Sequence, residues 1–184
     1  MSVYTKRGDK GQTSLLEKNN TQNKRITKDS LIVEALGSVD ELNSFLGIVY
    51  SYSESPKLQS IIHTMQTNLL TIGSTVAGAK LPFSEKNTKD LEKIIDELEG
   101  KLPVLSNFVY PRGTVTSSNL QYARSLARRC ERRVVALSKE TPIKSEILSY
   151  LNRLSDCLFT LAREENWKNG IREETWKGKT SKKN

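Results

Sequence analysis

Three arginines on one predicted helix are the strongest candidates for chemistry in this 184-residue chain. Arg124, Arg128 and Arg132 follow one another at four-residue steps, which places them about 6 Å apart along one face of an α-helix. Guanidinium groups spaced in this way span a triphosphate and can bind its oxygens bidentately. A solvated basic face has the same pattern, so the helix alone leaves both interpretations open.

Two further sets of polar residues could act with these arginines. Asp40 is a candidate partner for Arg124, because a carboxylate can hold a guanidinium group bidentately. Asn152 and Asp156 share one face of another predicted helix. An amide and a carboxylate there suit a ribose or a metal-bound phosphate, and they equally suit a polar link between helices. The residue types leave that choice open.

The N-terminal segment is polar and contains glycines next to hydroxyl and lysine side chains. Residues 5–14 read Thr-Lys-Arg-Gly-Asp-Lys-Gly-Gln-Thr-Ser. Glycine lets backbone N–H groups approach phosphate oxygens, and lysine supplies positive charge. The spacing is not that of a Walker loop, and no strand pattern precedes it. We expect an extended binding loop over residues 1–30, with disorder as the alternative for so long a polar segment.

Amphipathic helices account for most of the remaining sequence. Their apolar stripes predict an all-α fold in a single domain, residues 1–184, built as a five-helix up-and-down bundle over residues 38–168. Ser38 and Glu41 have the spacing of a capping box, Gly100 is a candidate C-cap, and Pro142 lies in an early turn of the last helix. The five predicted helices cover residues 38–53, 57–79, 90–100, 114–139 and 142–168.

Composition and charge limit the class of protein. The net charge of +8 suits an anionic partner, either a nucleic acid or a phosphorylated small molecule, and it equally suits solubility alone. Much of the excess lies in residues 169–184, which we expect to be a basic, solvated and mobile tail. We predict a cytoplasmic protein without a membrane segment. Cys130 and Cys157 are expected to be reduced and buried, and His63, the only histidine, lacks metal-ligand spacing.

Four motifs occur along the chain in a fixed order. They are Tyr-Thr-x-x-Gly-Asp-x-Gly-x-Thr at residues 4–13, Val-Asp-Glu-Leu-Asn at 39–43, Ala-Arg-x-x-x-Arg-Arg-x-Glu-Arg at 123–132 and Asn-Arg-Leu-Ser-Asp at 152–156, with Phe159 shortly after. In this combination, from about Tyr4 to about Arg163, the chain resembles the PduO-type ATP:cob(I)alamin adenosyltransferases.

The resemblance implies a homotrimer that holds ATP at its subunit interfaces. The N-terminal loop of one chain would meet the fourth and fifth helices of its neighbour, and Asp40 with Arg124 would form an interface salt bridge. Magnesium would be held mainly by the ATP phosphates, with no protein metal site. The implied ATP contacts are Thr5, Lys6, Arg7, Gly8, Thr13, Ser14, Lys28, Arg128, Arg129, Glu131, Arg132 and Asn152.

The resemblance also implies a cobalamin site. Phe108 matches the aromatic residue that covers the lower face of the corrin ring and displaces its axial base, Phe159 would line the corrin pocket, and Trp176 could fold over the bound corrin. The expected reaction transfers the 5′-deoxyadenosyl group of ATP to cob(I)alamin, with catalysis by Phe108, Asp40, Arg124 and Arg128. Where the family commonly has two glycines after proline, this chain has Arg112 and one glycine, which bears on corrin binding.

Two other functions compete with this one. A basic bundle could bind nucleic acid through the fourth helix, but that helix offers only Tyr122 as an aromatic platform. The second is a relative that senses ATP without catalysis, which Arg112 leaves open and Phe108 argues against. As an adenosyltransferase, the protein would have a corrinoid reductase and an adenosylcobalamin-dependent enzyme as partners, and neither nucleic acid nor membrane.

Overall fold

The fold is a bundle of five α-helices with a small N-terminal sheet. The computed structural model describes residues 4, 6–15 and 25–177. Within them the helices are α1 Leu31–Tyr52, α2 Pro56–Val76, α3 Lys86–Glu99, α4 Val115–Leu137 and α5 Ser145–Lys168. The predicted all-α, five-helix bundle is confirmed. None of the described helices is long and apolar enough to cross a membrane.

The helices pack around one core through their apolar stripes. Helix α4 packs against both α1 and α5, while α2 lies against α1 and α3 lies against α5. Each fully buried Leu or Ile side chain stabilises the fold by about 1.5–3 kcal/mol relative to exposure. Among the fully buried side chains are Leu42, Leu46, Ile62, Leu69, Ile72, Leu120, Leu151, Leu154 and Leu158.

The first helix begins earlier than the sequence pattern predicts. It starts at Leu31 with Ser30 as its N-cap, so Ser38 lies inside the helix. The Ser38 hydroxyl is buried and donates a hydrogen bond to the Ala35 carbonyl over 2.7 Å, which is a common bond for serine within a helix. The predicted capping box at Ser38 and Glu41 is therefore wrong. Buried Ala35 continues the apolar stripe of Val39 and Leu42 toward the N-terminus.

The other predicted helix boundaries need smaller corrections. Gly100 is the C-cap of α3, as expected, but with right-handed backbone angles of −62° and −14°. Pro142 precedes α5 instead of lying in its first turn, because the helix begins at Ser145. Cys130 and Cys157 are free and buried, as predicted. His63 is exposed on α2.

The N-terminal segment contains two strands that the sequence did not predict. Strand β1, Gln12–Ser14, pairs antiparallel with β2, Arg25–Thr27, and Thr13 lies opposite Ile26. Three residues are too few to show a period-two pattern. The N–H of Lys28 also donates to the Gly11 carbonyl over 2.9 Å. The expected loop is thus partly a small sheet that brings Gly8 and Gly11 of the first motif beside Lys28.

Residues 169–177, called here the C-terminal segment, also differ from the prediction. Thr175 forms an antiparallel bridge with Val109 in the loop between α3 and α4, called here the α3–α4 loop, residues 100–114. The Tyr110 N–H donates to the Glu174 carbonyl over 2.9 Å. Most of residues 169–177 are exposed, as a solvated tail would be, although Val109 and Tyr110 pair with the segment, and the predicted mobility stays a prediction. The rest of that predicted tail lies outside the described residues.

Candidate active site

A cleft with aromatic walls opens between the α3–α4 loop, helices α4 and α5, and the C-terminal segment. Its volume is about 640 Å³, and its walls include Phe108, Phe159 and Trp176 together with Arg124 and Gln121. We call it the aromatic cleft. The Phe108 side chain is 80% exposed and that of Trp176 is 51% exposed. Large apolar side chains gathered at an exposed surface indicate a binding site for an apolar ligand.

The C-terminal segment fixes the backbone of Phe108. The Trp176 N–H donates to the Phe108 carbonyl over 2.7 Å. The neighbouring bridge between Val109 and Thr175 continues this pairing. Two elements far apart in sequence therefore place Phe108 and Trp176 on the same cleft.

Helix α5 holds both ends of the α3–α4 loop. Near its start, the Pro103 carbonyl accepts a 2.7 Å hydrogen bond from Nη2 of Arg163. At its end, Asn166 donates to the Arg112 carbonyl over 3.0 Å and accepts from the Thr114 N–H over 3.1 Å. Arg163 and Asn166 are both buried and lie three residues apart, on one face of the helix.

Arg124 lies at the edge of the aromatic cleft. Its Nε donates to Oε1 of Gln121 over 3.0 Å, and its guanidinium carbon is 5.9 Å from the ring centroid of Phe159. Burial lowers the pKa of Arg124 from its ordinary value, and the positive charge of Arg128 adds to this effect. Arg124 remains charged. An anionic group beside it would offset both costs.

Asp40 and Arg124 do not meet within one chain. Asp40 is exposed on α1, and no ion pair joins it to Arg124 among the described residues. An ion pair across a subunit interface would need a second chain, so that predicted salt bridge stays a prediction.

The α4 arginines divide into two sets by their partners. Arg129 pairs with Glu41, and Arg133 pairs with Glu34 over 3.4 Å, so both are held against α1. Arg128 and Arg132 are exposed and form no ion pair with any residue that the structure describes. These two arginines, together with Arg124, form the row that the sequence pattern predicts. Arg129 was also predicted to contact ATP, but its charge is already compensated by Glu41.

A polar link joins α4 to α5 beside this row. Nδ2 of Asn152 donates to Oε1 of Glu131 over 2.9 Å, and Asn152 is exposed. Arg153, the residue after Asn152, donates through Nη1 to Oδ2 of Asp156 over 2.7 Å and through Nε to Oε1 of Glu92 over 3.2 Å. Asp156 is thus paired with a cation, while the Asn152 and Glu131 side chains stay accessible beside the arginine row.

The N-terminal sheet gathers most of the predicted ATP contacts from that part of the chain. Thr13 and Ser14 lie in β1. A Cβ at Gly8 would lie 3.2 Å from Nζ of Lys28, so glycine there leaves room for the ammonium group. Lys6 has a φ of +57°, an uncommon backbone conformation for a residue other than glycine and one that is enriched at ligand sites. Arg7 is exposed, and Thr5 lies outside the described residues.

Lys28 reaches toward α4 of its own chain. A groove of about 500 Å³ is lined by Lys28, Glu34, Glu41 and Arg129. Its two carboxylates are those that pair with Arg133 and Arg129. Lys28 thus lies beside the face of α4 that carries Arg129 and Arg133.

Arg112 occupies a definite place next to the aromatic cleft. It forms an ion pair with Glu174 of the C-terminal segment, and its guanidinium carbon lies 4.9 Å from the ring centroid of Tyr110. The next residue, Gly113, has a φ of +149°, and a Cβ there would lie 1.9 Å from Oδ1 of Asn166. The single glycine retained after Arg112 is therefore the one that the packing requires.

The described residues contain no group of three or more His, Cys, Asp or Glu side chains that could hold a metal ion.

Sequence reasoning missed three residues of the site: Gln121, Arg163 and Asn166. All three are buried polar side chains on helices, and each lies within or beside an apolar stripe. Buried polar groups need partners, so a polar residue that interrupts an apolar stripe is the signal that could have found them.

Together the fold and the site define a helical bundle that can hold a flat apolar ligand beside a polyphosphate. Comparison with known proteins agrees. The model of the cobalamin adenosyltransferase family matches residues 3–165, and the chain belongs to that family.

Relatives and solved structures resemble the chain over most of its length. A corrinoid adenosyltransferase from Bacillus subtilis is 40% identical over 179 residues, covering 93% of this chain and 90% of that protein. A corrinoid adenosyltransferase from Homo sapiens is 34% identical over 186 residues, covering 95% of this chain and 72% of that protein. The structure of a variant PduO-type ATP:corrinoid adenosyltransferase from Lactobacillus reuteri, complexed with cobalamin and ATP, matches with a TM-score of 0.90 and 32% identity, covering 96% of this chain and all of that one.

Proposed function

We propose that the protein transfers the 5′-deoxyadenosyl group of ATP to cob(I)alamin, giving adenosylcobalamin and triphosphate. One observation carries the proposal: the aromatic cleft and the row of Arg124, Arg128 and Arg132 share helix α4 and meet at Arg124. A flat corrin ring suits the aromatic cleft, and the triphosphate of ATP suits the row. The complex of the Lactobacillus reuteri relative with cobalamin and ATP supports the same pair of ligands.

The reaction is a nucleophilic displacement at carbon. The electron pair of cobalt(I) forms the bond to the 5′ carbon of ATP, the bond from that carbon to the triphosphate oxygen breaks, and triphosphate leaves with its electron pair. No side chain has to act as nucleophile or base. The protein contributes alignment of the two substrates and stabilisation of negative charge on the leaving group.

The arginine row and its neighbours form the ATP half of the site. Arg128 and Arg132 bind phosphate oxygens, while Asn152 and Glu131 lie within reach of the nucleoside part. Magnesium enters with ATP as the counter-ion of its phosphates. The N-terminal part of the site closes around the triphosphate through Lys6, Arg7, Gly8, Thr13, Ser14 and Lys28; the predicted contact of Thr5 lies outside the described residues.

The ATP site lies between subunits of a homotrimer. Arg128 and Arg132 form no ion pair within the described part of the chain, whereas Arg129 and Arg133 are compensated by α1. An arginine pair that is left exposed in the isolated chain suits a site completed by a neighbour's N-terminal sheet. The same arrangement lets Asp40 of one chain reach Arg124 of the next.

Phe108 acts on the cobalt centre. Its exposed ring takes the lower face of the corrin, where the axial base would otherwise bind. Removing a donor ligand from cobalt(II) lowers the energy of the orbital that receives the next electron, so a reductase can supply that electron.

The protein is placed in the cytoplasm, and its two free cysteines agree with that compartment. Its product would pass to an adenosylcobalamin-dependent enzyme.

Anaerobic incubation with chemically reduced cob(I)alamin, ATP and Mg²⁺ tests the proposed function. The corrin spectrum should change to that of a light-sensitive cobalt–carbon product at a rate that depends on ATP. ATP binding without such a product would favour the ATP-sensing alternative. If the protein bound neither ATP nor cobalamin, the assignments of the ATP half and of the corrin half of the site would both be wrong.

A further inference from the structure

We propose that Arg163 and Glu173 are positioning residues for Phe108. Their ion pair holds the C-terminal segment and the α3–α4 loop on helix α5, and so fixes the backbone that presents Phe108 to the aromatic cleft. The inference rests on the proposed function only for what Phe108 does to the corrin.

Arg163 joins three parts of the chain at one buried point. Its side chain is 5% exposed, and that of Glu173 is 19% exposed. Nε of Arg163 lies 3.0 Å from Oε1 and 3.1 Å from Oε2 of Glu173, and Nη2 donates to the Pro103 carbonyl over 2.7 Å. Since a buried guanidinium without an anionic partner is strongly destabilising, Arg163 and Glu173 hold each other in place.

The effect of this pair reaches Phe108 through the backbone. Directly after Glu173, the Glu174 carbonyl accepts from the Tyr110 N–H, Thr175 bridges Val109, and the Trp176 N–H donates to the Phe108 carbonyl. These bonds run in register along successive residues. Anchoring Glu173 on α5 therefore sets the position of the whole pairing, including its last bond at Phe108.

The hydrogen bonds of Asn166 do not replace the ion pair between Arg163 and Glu173. It holds the far end of the loop through the Arg112 carbonyl and the Thr114 N–H, whereas Arg163 holds the near end at Pro103. Between these ends Phe108 is 80% exposed, so its own packing contributes little to its position. Its placement depends on bonds from the C-terminal segment, which orders the loop before the corrin binds and removes that entropy cost from binding.

Arg163 also lies next to one wall of the aromatic cleft. Its guanidinium carbon is 6.0 Å from the ring centroid of Phe159, a cleft residue. The ion pair thus supports two aromatic walls: Phe108 through the backbone and Phe159 through its ring. Arg163 is placed to act on substrate geometry only through these residues.

The test compares two routes to product in the full-length protein. Glu173→Gln keeps the shape of the side chain and removes its charge. Arg163→Lys keeps a positive charge but loses the fork in which Nε contacts Glu173 while Nη2 donates to the Pro103 carbonyl. Each variant is assayed with pre-reduced cob(I)alamin and with cob(II)alamin plus a chemical reductant. The fraction of four-coordinate cob(II)alamin on the ATP-bound protein is read from its electron paramagnetic resonance spectrum. Glu85→Gln is the control for loss of a carboxylate charge, because Glu85 pairs with Lys89 on α3 and neither residue lines the cleft.

For Glu173→Gln we expect about a tenfold loss of the four-coordinate signal and of turnover from cob(II)alamin, since a charge-assisted hydrogen bond is lost. Turnover from cob(I)alamin should change by less than about threefold, because alignment with ATP does not need the axial base displaced. For Arg163→Lys, the four-coordinate signal and the turnover from cob(II)alamin should lie between those of Glu173→Gln and the wild type. Both quantities should be the same in the control as in the wild type. Thermal unfolding checks that each variant is folded, and Arg163→Lys supplies the comparison if Glu173→Gln is not.

A four-coordinate signal in both variants equal to that of the wild type would overturn the inference, as would an equal loss of turnover by both routes. Failure of the wild type to alkylate cob(I)alamin is a different result, because it would refute the proposed function itself.

Discussion

The guanidinium carbon of Arg124 lies 5.9 Å from the ring centroid of Phe159, so the row of arginines on α4 begins at the wall of the aromatic cleft. This contact joins the two halves of the site. A ligand bound in the cleft is one helical turn from Arg128, and a leaving triphosphate would extend from that point along the row. The two substrates can then be aligned by a single rigid helix.

Replacing Arg128 with alanine should weaken the use of ATP. A charge-assisted phosphate contact contributes about 1.5–3 kcal/mol, so kcat/KM for ATP should fall about 10- to 100-fold. Steady-state kinetics with saturating cob(I)alamin measure this. Arg133→Ala is the matched control, because Arg133 lies on the same helix as Arg128 but pairs with Glu34 of α1. Equal kinetics for the Arg128 variant and the wild type would contradict the assigned ATP site.

Replacing Phe108 with alanine should separate reduction from alkyl transfer. Turnover from cob(II)alamin plus reductant should fall about 100-fold, and turnover from cob(I)alamin should fall far less, since only the first route needs the axial base displaced. Val104→Ala, at a 96% exposed position in the same loop, controls for changes in the loop. The two assays are run on the same preparation. An equal loss in both would show that Phe108 acts only in binding.

Mixing two inactive variants tests whether the ATP site lies between chains. Lys28→Ala damages the N-terminal part of the site, and Arg128→Ala damages the α4 part. In a ring of three subunits, random mixing restores both parts at about a quarter of the interfaces. Co-expressed variants should therefore recover up to about a quarter of wild-type activity. No recovery, or a monomer by light scattering, would place the site within one chain.

Replacing Gly113 with alanine should destabilise the α3–α4 loop. A Cβ there would lie 1.9 Å from Oδ1 of Asn166, in addition to the strain of a φ of +149°. Gly78→Ala isolates the backbone strain, because Gly78 has a φ of +107° and nothing lies within 4 Å of its built Cβ. Denaturant unfolding should show that Gly113→Ala lowers the free energy of unfolding by at least about 1 kcal/mol more than Gly78→Ala. Equal losses would contradict the close approach to Asn166.

The two cysteines should be unreactive in the folded protein. Burial raises the pKa of Cys130 from 9.0 to about 11 and that of Cys157 to about 12, and the thiolate is the reactive form. Iodoacetamide at pH 8 should modify both residues only after unfolding, as mass spectrometry would show. Fast modification of the native protein would contradict this burial.

The raised pKa values of the two cysteines also predict how the free energy of unfolding depends on pH. Folding favours the neutral thiols, so their contribution to stability is fully present below about pH 9 and is lost as the pH rises from about 9 toward about 12. Denaturant unfolding at several pH values would show this loss in the free energy of unfolding. Constant stability across that range would contradict the raised pKa values.

Periodicity predicted much of the fold, and its failures have physical causes. Apolar stripes located all five helices because each buries one face. The capping-box prediction at Ser38 failed because a serine followed three residues later by glutamate can also occur inside a helix. There the Ser38 hydroxyl donates to the Ala35 carbonyl. The short strands β1 and β2 depend on pairing between residues that local patterns do not connect.

The sequence predicted which types of residue form the candidate site better than it predicted how those residues are arranged. The spacing on α4 gave the row of Arg124, Arg128 and Arg132, but it could not distinguish Arg129, which pairs with Glu41 on another helix. The meeting of Phe108 and Trp176 depends on a backbone bond between distant segments. Such long-range contacts follow from the packed fold and are absent from any local pattern.

Following the 5′ carbon of ATP tests the central claim most directly. The protein is incubated anaerobically with cob(I)alamin, Mg²⁺ and ATP labelled with ¹³C at that carbon, and the products are analysed by mass spectrometry and by assay of inorganic triphosphate. We predict that the corrinoid carries the label on its cobalt-bound carbon and that triphosphate forms in equal amount. An unlabelled corrinoid, or conversion of ATP to diphosphate and phosphate, would contradict the account.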